Sequence, residues 1–173
     1  MNTVSEGRRT ETVCSNCGGV AKTRVGKYRF EESGLKDVFL IGIELIKCQK
    51  CKNVDPVIPA INQLMQVLAV AVAAKPCKLD GQEIRFLRKY LRMTGDQFSG
   101  LLGTDKTTIS KWETDEQDHG ERADLLIRAV VMALGEGLSK HSERVVRGFP
   151  AIEGVWRELR YEINPEAQTC EYV

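Results

Sequence analysis

Apolar and polar residues alternate through much of the first fifty positions, which is the pattern of half-buried β-strands. Residues 20–30 and 37–46 are rich in β-branched and aromatic side chains, and residues 32–34 supply a glycine-containing turn between them. This part of the chain therefore predicts a small antiparallel sheet.

An uncharged stretch follows at residues 56–74. The polar side chains of Asn62, Gln63 and Gln66 interrupt it, so it falls well short of the ~20 apolar residues that span a bilayer. We expect a helix here that is either buried or placed at an interface.

Apolar residues recur at helical spacing from Lys75 onward. Two capping boxes predict a helix over about 81–92 and a second helix that ends at the turn around Gly103. The boxes pair Asp80 with Glu83, and Thr94 with Gln97.

A third helix is expected from a cap at residues 104–105 to about Thr114, and a fourth over about 121–134. On the third helix Ile109 and Trp112 are three residues apart and point inward. Small polar and basic side chains on the outer face of such a helix suit contact with base edges and phosphates in the DNA major groove. They are Lys106, Thr107, Ser110 and Lys111.

Four cysteines, Cys14, Cys17, Cys48 and Cys51, form two C-x2-C pairs. Two such turns can complete the tetrahedral thiolate shell of one structural Zn²⁺, which contributes on the order of 10 kcal/mol to the folding of a small domain. Rubredoxin-like iron, a pair of disulfides, and four unrelated thiols remain alternatives. Cys77 and Cys170 lack partners at ligand spacing and are expected to be free thiols, and we expect His119 and His141 to be ordinary surface or loop residues.

Charge is unevenly distributed, although the net formal charge is only +1. Residues 75–113 carry eight Lys/Arg against five Asp/Glu, whereas residues 114–173 carry seven against twelve. A basic middle beside an acidic tail fits a DNA-binding face in the middle segment. Arg85, Arg88 and Lys89 on the first helix of this segment are the expected phosphate contacts.

No pattern of residues suggests catalysis, so we expect a protein that is not an enzyme. The polar start at residues 1–12 has no apolar core of a signal peptide, which favours the cytoplasm. One short recognition helix reads too few base pairs to select a genomic site, so we expect a homodimer on a palindromic operator.

These segments together resemble a known class of regulators. Residues 87–113, which end in Ile109-Ser110-Lys111-Trp112-Glu113, resemble the phage-repressor-like (XRE or Cro/C1) helix-turn-helix. The segment from Cys14-Ser-Asn-Cys-Gly-Gly to Cys48-Gln-Lys-Cys is similar to the YgiT-type zinc finger. In this order they resemble the MqsA/YgiT class of two-domain antitoxins and their stand-alone regulator relatives.

The resemblance implies an autoregulating repressor of a toxin–antitoxin pair, with the N-terminal domain on the toxin and base contacts at Thr107 and Lys111. Residues 114–116 replace the family's usual Asn-Gly, which leaves the following loop open. We therefore expect an α+β protein with a small zinc-bound antiparallel β domain and a helix-turn-helix bundle of about five helices. The predicted boundaries are a zinc finger at 1–56, a connecting segment at 57–78, a DNA-binding domain at 79–137, and an extension at 138–173 with a helix over 151–160 and a short strand over 161–173.

Overall fold

The computed structural model describes residues 11–173, and the first ten residues of the predicted zinc-finger domain lie outside this range. The described chain is a mixture of helices and sheet, with six α-helices and eight strands. The helices are α1 (Ile61–Ala74), α2 (Gly81–Tyr90), α3 (Gly95–Leu102), α4 (Lys106–Glu113), α5 (Gly120–Leu134) and α6 (Ser142–Gly148). The strands are β1 (Glu11–Val13), β2 (Val20–Arg29), β3 (Val38–Cys48), β4 (Val54–Val57), β5 (Cys77–Lys78), β6 (Glu153–Trp156), β7 (Tyr161–Asn164) and β8 (Thr169–Tyr172).

The predicted antiparallel hairpin is confirmed as β2 and β3, which pair from Ala21↔Cys48 to Arg29↔Phe39. Alternate residues of β3 are buried, as half-buried strands require. The register shifts at Gly26, where a Cβ atom would lie 2.9 Å from the side chain of Leu45. Only glycine therefore fits this close approach without displacing the core.

The chain beyond residue 138 is part of the main sheet. Strand β7 lies parallel to β3, and β8 lies antiparallel to β7, so the C-terminal hairpin extends the N-terminal sheet. The predicted strand over 161–173 is thus confirmed as two strands. The predicted helix over 151–160 is wrong, because residues 153–156 form β6 and pair in parallel with β5. Pro150 and Gly154 at either side of Ile152 disfavour a helix there.

Helix α1 is the central element of the core. Seven of its residues are buried, and it packs against α2, α5, α6 and β8. The uncharged stretch is therefore a buried helix and not mainly an interface between copies. A single cluster of buried residues runs from the hairpin through α1 to the helices, so elements of the predicted zinc-finger, helix-turn-helix and extension segments share one core.

Helices α2 and α3 begin where the capping boxes predicted. Both boxes are formed, since Asp80 accepts from Glu83 N–H at 2.8 Å and Thr94 accepts from Gln97 N–H at 3.3 Å. Gly103 ends α3 in the left-handed conformation, with φ of 64°. No helix in the described range is both long enough and apolar enough to cross a membrane.

Candidate metal centre and nucleic-acid interface

The four paired cysteines meet at one end of the β2–β3 hairpin. Cys14 and Cys17 lie on the turn between β1 and β2, while Cys48 ends β3 and Cys51 lies on the turn that follows it. All four Sγ atoms are within 4.8 Å of one another. The Cys14–Cys51 and Cys17–Cys48 Sγ distances are 3.6 and 3.5 Å, close to the ~3.8 Å edge of a tetrahedron with 2.3 Å Zn–S bonds.

These distances exclude the disulfide alternative in this structure. A disulfide needs sulfurs about 2.05 Å apart, and all four thiols are free. The arrangement fits one metal ion held by four sulfurs, with no ligand position left for substrate or water if the ion is tetrahedral. Sulfur ligands alone do not decide between zinc and iron.

Backbone groups of each turn are arranged around the sulfurs. Gly18 has φ of 68°, and its N–H donates to Cys14 O at 3.0 Å, while Cys14 N–H donates to Gly19 O at 2.8 Å. On the second turn the N–H groups of Lys50 and Cys51 donate to Cys48 Sγ at 3.3 and 3.4 Å. Such N–H···S bonds stabilise thiolates, which are the form that binds metal.

The two turns have different effects on the pKa of a cysteine thiol. The N–H groups of Cys51 and Lys50 lower the pKa of Cys48 to about 6, against the effect of burial. The Gly19 N–H lowers the pKa of Cys17, but the adjacent thiols of Cys51 and Cys48 together raise it to about 12. Of these two thiols Cys48 therefore has the lower pKa, and the positive side chains of Lys47, Lys50 and Lys52 are exposed beside it.

The second candidate site is the outer face of α4. Ile109 and Trp112 are buried on the inner face, as predicted. The four predicted DNA-contacting residues of this helix, Lys106, Thr107, Ser110 and Lys111, are all exposed. Asp105 caps the helix by accepting from Thr108 N–H and Oγ1 at 2.9 and 2.7 Å, so Thr108 serves the cap and Thr107 stays free for a ligand.

The two lysines of α4 differ in availability. Lys106 forms an exposed ion pair with Asp96 of α3, with an Nζ–Oδ2 distance of 3.0 Å. Among residues 11–173, Lys111 has no carboxylate partner. Lys111 is thus the free positive charge on this face.

The three predicted phosphate contacts on α2 are not equivalent. Arg85 and Lys89 are exposed. Arg88, in contrast, donates to both carboxylate oxygens of Glu113 at 2.5 and 3.0 Å and to Met93 O at 2.7 Å. Its side chain is only 14% exposed, and Glu113 raises its pKa despite burial. We therefore correct its assignment: Arg88 holds α2 against the end of α4 and is not available as a phosphate contact.

Asp115 lies in the loop after α4, where residues 114–116 stand in place of an Asn-Gly pair. This residue adopts φ of 57°, the left-handed conformation that asparagine or glycine usually takes, and its Oδ1 accepts from Gly81 N–H at 2.8 Å. A Cβ on Gly81 would lie 2.5 Å from Trp112 O. Gly81 and Asp115 therefore lock the start of α2 to the end of α4.

Sequence reasoning missed a buried ionic network behind the helix-turn-helix. Arg128 of α5 is fully buried and donates to the carbonyls of Ala73, Lys75 and Cys77 at 2.9, 2.9 and 2.7 Å. It also pairs with Asp124 at 2.6 Å. The signal in the sequence was the i, i+4 spacing of Asp124 and Arg128 on an otherwise apolar helix face.

Polar side chains beside this network are also buried. The predicted surface or loop residue His119 lies in the loop before α5, but its side chain is only 5% exposed, bonds Asp124 at 3.0 Å and packs beside Trp112. Buried Lys75 pairs with Glu83 at 2.5 Å, and Tyr161 of β7 donates to the other oxygen of Glu83 at 2.5 Å. Burial is the main cause that raises the pKa of Glu83, against the effect of Lys75.

Comparison with protein-family models, curated proteins and solved structures finds no match to this chain.

Proposed function

We propose that this chain is a sequence-specific DNA-binding transcriptional regulator, acting as a homodimeric repressor on a palindromic operator. The observation that carries the proposal is the outer face of α4, with Thr107 and Lys111 one turn apart and free of partners, opposite buried Ile109 and Trp112. The helix is rigidly placed by Asp105, Gly81 and Asp115. Because the backbone of such a helix is already ordered in the free protein, presenting its side chains to base edges costs no further backbone entropy.

In this proposal the base contacts are Thr107 and Lys111, with Ser110 beside them. Lys106 reaches a phosphate after leaving Asp96, and the exposed Arg85 and Lys89 supply phosphate contacts from α2. The four cysteines hold one structural Zn²⁺, which orders the N-terminal end of the sheet and takes no part in chemistry.

A promoter titration tests this assignment. Zinc-loaded full-length protein is titrated by fluorescence anisotropy with labelled duplexes that tile its own promoter, at one fixed salt concentration. Lys111→Ala and Thr107→Ala should each cost about 1 to 3 kcal/mol on the preferred duplex, roughly 5- to 150-fold in affinity, because a base contact is lost. Lys22→Ala on β2 removes the same charge elsewhere and is the matched control. Unchanged affinity in both α4 variants, with fold and zinc content intact, would overturn the recognition-helix assignment.

We also propose that the regulator is the antitoxin of a toxin–antitoxin pair, with the toxin on the N-terminal hairpin. The supporting observation is the exposure of large apolar side chains there: Val13, Val20 and Val25 are 71%, 53% and 66% exposed. Val13 and Val20 are paired across β1 and β2, and exposed apolar side chains that lie side by side are common at protein-binding surfaces.

Co-expression with the product of a small basic open reading frame adjacent to this gene tests the pairing. The two proteins should co-purify, and Val25→Glu should abolish this, whereas Val155→Glu on β6, which is 57% exposed in the free chain, should not. Absence of such a reading frame, or no association, would leave a stand-alone regulator. Elemental analysis in the same preparation should give about one Zn per chain; stoichiometric Fe would favour the rubredoxin-like alternative.

A further inference from the structure

A cleft of about 560 Å³ lies between α1, α6 and β8, and neither the four clustered cysteines nor any residue of α4 lines it. Its volume is within the range of small-molecule binding sites in proteins. Val67, Val70, Ala71 and Ala74 of α1 form an apolar floor, and Val145 of α6 adds to it. None of these residues takes part in the proposed DNA contact.

The rim of the cleft is positively charged. Lys140, His141 and Arg144 line one side, and no Asp or Glu is among the described residues that line it. Within residues 11–173, Lys140 and Arg144 have no ion-pair partner. By contrast Arg147, one turn further along α6, pairs with Glu143 at 2.8 Å. Two unpaired cations beside an apolar floor are complementary to an anion with an apolar body.

The three basic side chains of the rim interact with one another. Burial first, and then the positive charges of Arg144 and Lys140, lower the pKa of His141. A bound anion would offset this mutual repulsion, whereas a bound cation would add to it. The charge of the rim therefore favours a negatively charged ligand over a positively charged one.

The walls of the cleft are already connected to each other. Tyr172 of β8 donates its hydroxyl to Ala71 O at 2.7 Å, and Gln168 donates to Gln63 Oε1 at 2.7 Å across one end. The cleft follows α1 from Gln63 to Ala74, which at 1.5 Å per residue is about 16 Å. A preformed, elongated groove of this kind suits an extended ligand and requires little ordering on binding.

We propose that this cleft binds a small organic anion with an extended apolar tail, the carboxylate or similar group held by Arg144 and Lys140 and the tail lying along α1. The site is independent of the DNA-binding function, and its test needs no DNA. Failure of one proposal would therefore leave the other standing.

Calorimetric titration of the full zinc-loaded chain with three eight-carbon probes tests the proposal. Octanoate should bind at least tenfold more tightly than 1-octanol, because a charge-assisted hydrogen bond to the head group is lost in the alcohol, and octylamine should not bind measurably. Arg144→Glu should weaken octanoate at least tenfold. The matched control Arg147→Glu, on the same helix but outside the cleft, should stay within twofold of the natural sequence.

Side-chain NMR signals locate the ligand. Octanoate should shift the side-chain amide signals of Gln63, Gln66 and Gln168, which line the cleft, and leave the indole N–H signals of Trp112 and Trp156 in place. Equal affinity for octylamine, no effect of Arg144→Glu, or shifts of the indole signals as large as those of the glutamines would each overturn the proposal.

Discussion

The two ends of the β2–β3 hairpin are stabilised in different ways. At the cysteine end the buried cluster consists of Cys14, Ala21 and Cys48, with Ile46 packed beside it. At the other end Phe30, Val38 and Leu40 belong to the core that continues through α1 to the helices. A metal ion can stabilise a region that has too few residues to bury a hydrophobic core. Of the two ends of the hairpin, only the cysteine end is such a region.

The core that continues from this other end of the hairpin depends on buried charged side chains as well as on apolar packing. Arg128, Asp124, Lys75 and Glu83 are all buried where α1, α2 and α5 meet. Arg128 satisfies carbonyls that the end of α1 leaves unpaired, since it donates to Ala73 O and Lys75 O. The cysteine end is thus a local structure that depends on a metal ion, whereas the junction of α1, α2 and α5 is built from residues far apart in sequence.

The largest expected effect follows removal of a metal ligand. Cys48→Ser should reduce the metal content from about one ion per chain to nearly none and unfold the cysteine end, because its own core is only three residues. Hydrogen exchange should show lost protection in residues 11–24 and 46–57, while α2 to α5 stay protected. Cys77→Ser, at a buried thiol outside the cluster, should keep both the metal and the protection. Simultaneous loss of protection in the helices would show that the two ends are not separable.

Next in size is the loss of the buried guanidinium of Arg128. Arg128→Ala leaves Asp124 and three backbone carbonyls without this donor, so the free energy of unfolding should fall by about 3 to 5 kcal/mol. Urea unfolding followed by circular dichroism measures this change. Arg122→Ala, at an exposed position on the same helix, should change it by less than about 0.5 kcal/mol. A loss below about 1 kcal/mol in Arg128→Ala would contradict a junction held by this residue.

The smallest expected effect separates two neighbours on α2. Arg88→Ala should lower the free energy of unfolding by about 1.5 to 3 kcal/mol, since its charged hydrogen bonds to Glu113 are lost. Lys89→Ala should leave stability within about 0.5 kcal/mol but reduce the salt dependence of DNA binding by about one unit of slope. Urea unfolding and anisotropy titrations at several salt concentrations measure the two quantities. The opposite assignment, with Lys89 structural and Arg88 altering the salt slope, would refute our correction of Arg88.

Features that depend on short stretches of sequence were predicted correctly. The capping boxes of Asp80 and Thr94 are local, because each joins groups three residues apart, and both are formed. The C-x2-C turns are local in the same way, and their spacing predicted that the four thiols meet. Inward placement of Ile109 and Trp112 followed from helical periodicity alone.

Features that join distant parts of the chain could not be predicted. Pro150 and Gly154 disfavour a helix over residues 151–156, but nothing near them indicates that residues 153–156 pair as a strand with residues 77–78. The burial of His119 depends on Asp124 and Trp112, whose positions are set by packing of α4 and α5. Short apolar segments have weak intrinsic preference, so tertiary contacts decide their conformation.

By itself, then, the sequence determined the starts of α2 and α3 and the exposed face of α4, since each depends on spacing within a few turns of chain. The repeated C-x2-C pattern also indicated the cysteine cluster, although the sulfurs that meet belong to residues that are 31 and 37 positions apart. Tertiary structure alone decided that β7 and β8 join the N-terminal sheet, that Arg88 is taken by Glu113, and that α1 is a core helix with a cationic cleft along one side. The physical reason is the sequence separation of the partners: Arg88 and Glu113 are 25 residues apart, and Tyr172 and Ala71 are 101 apart. No local propensity records such contacts, because they form only when the whole core is assembled.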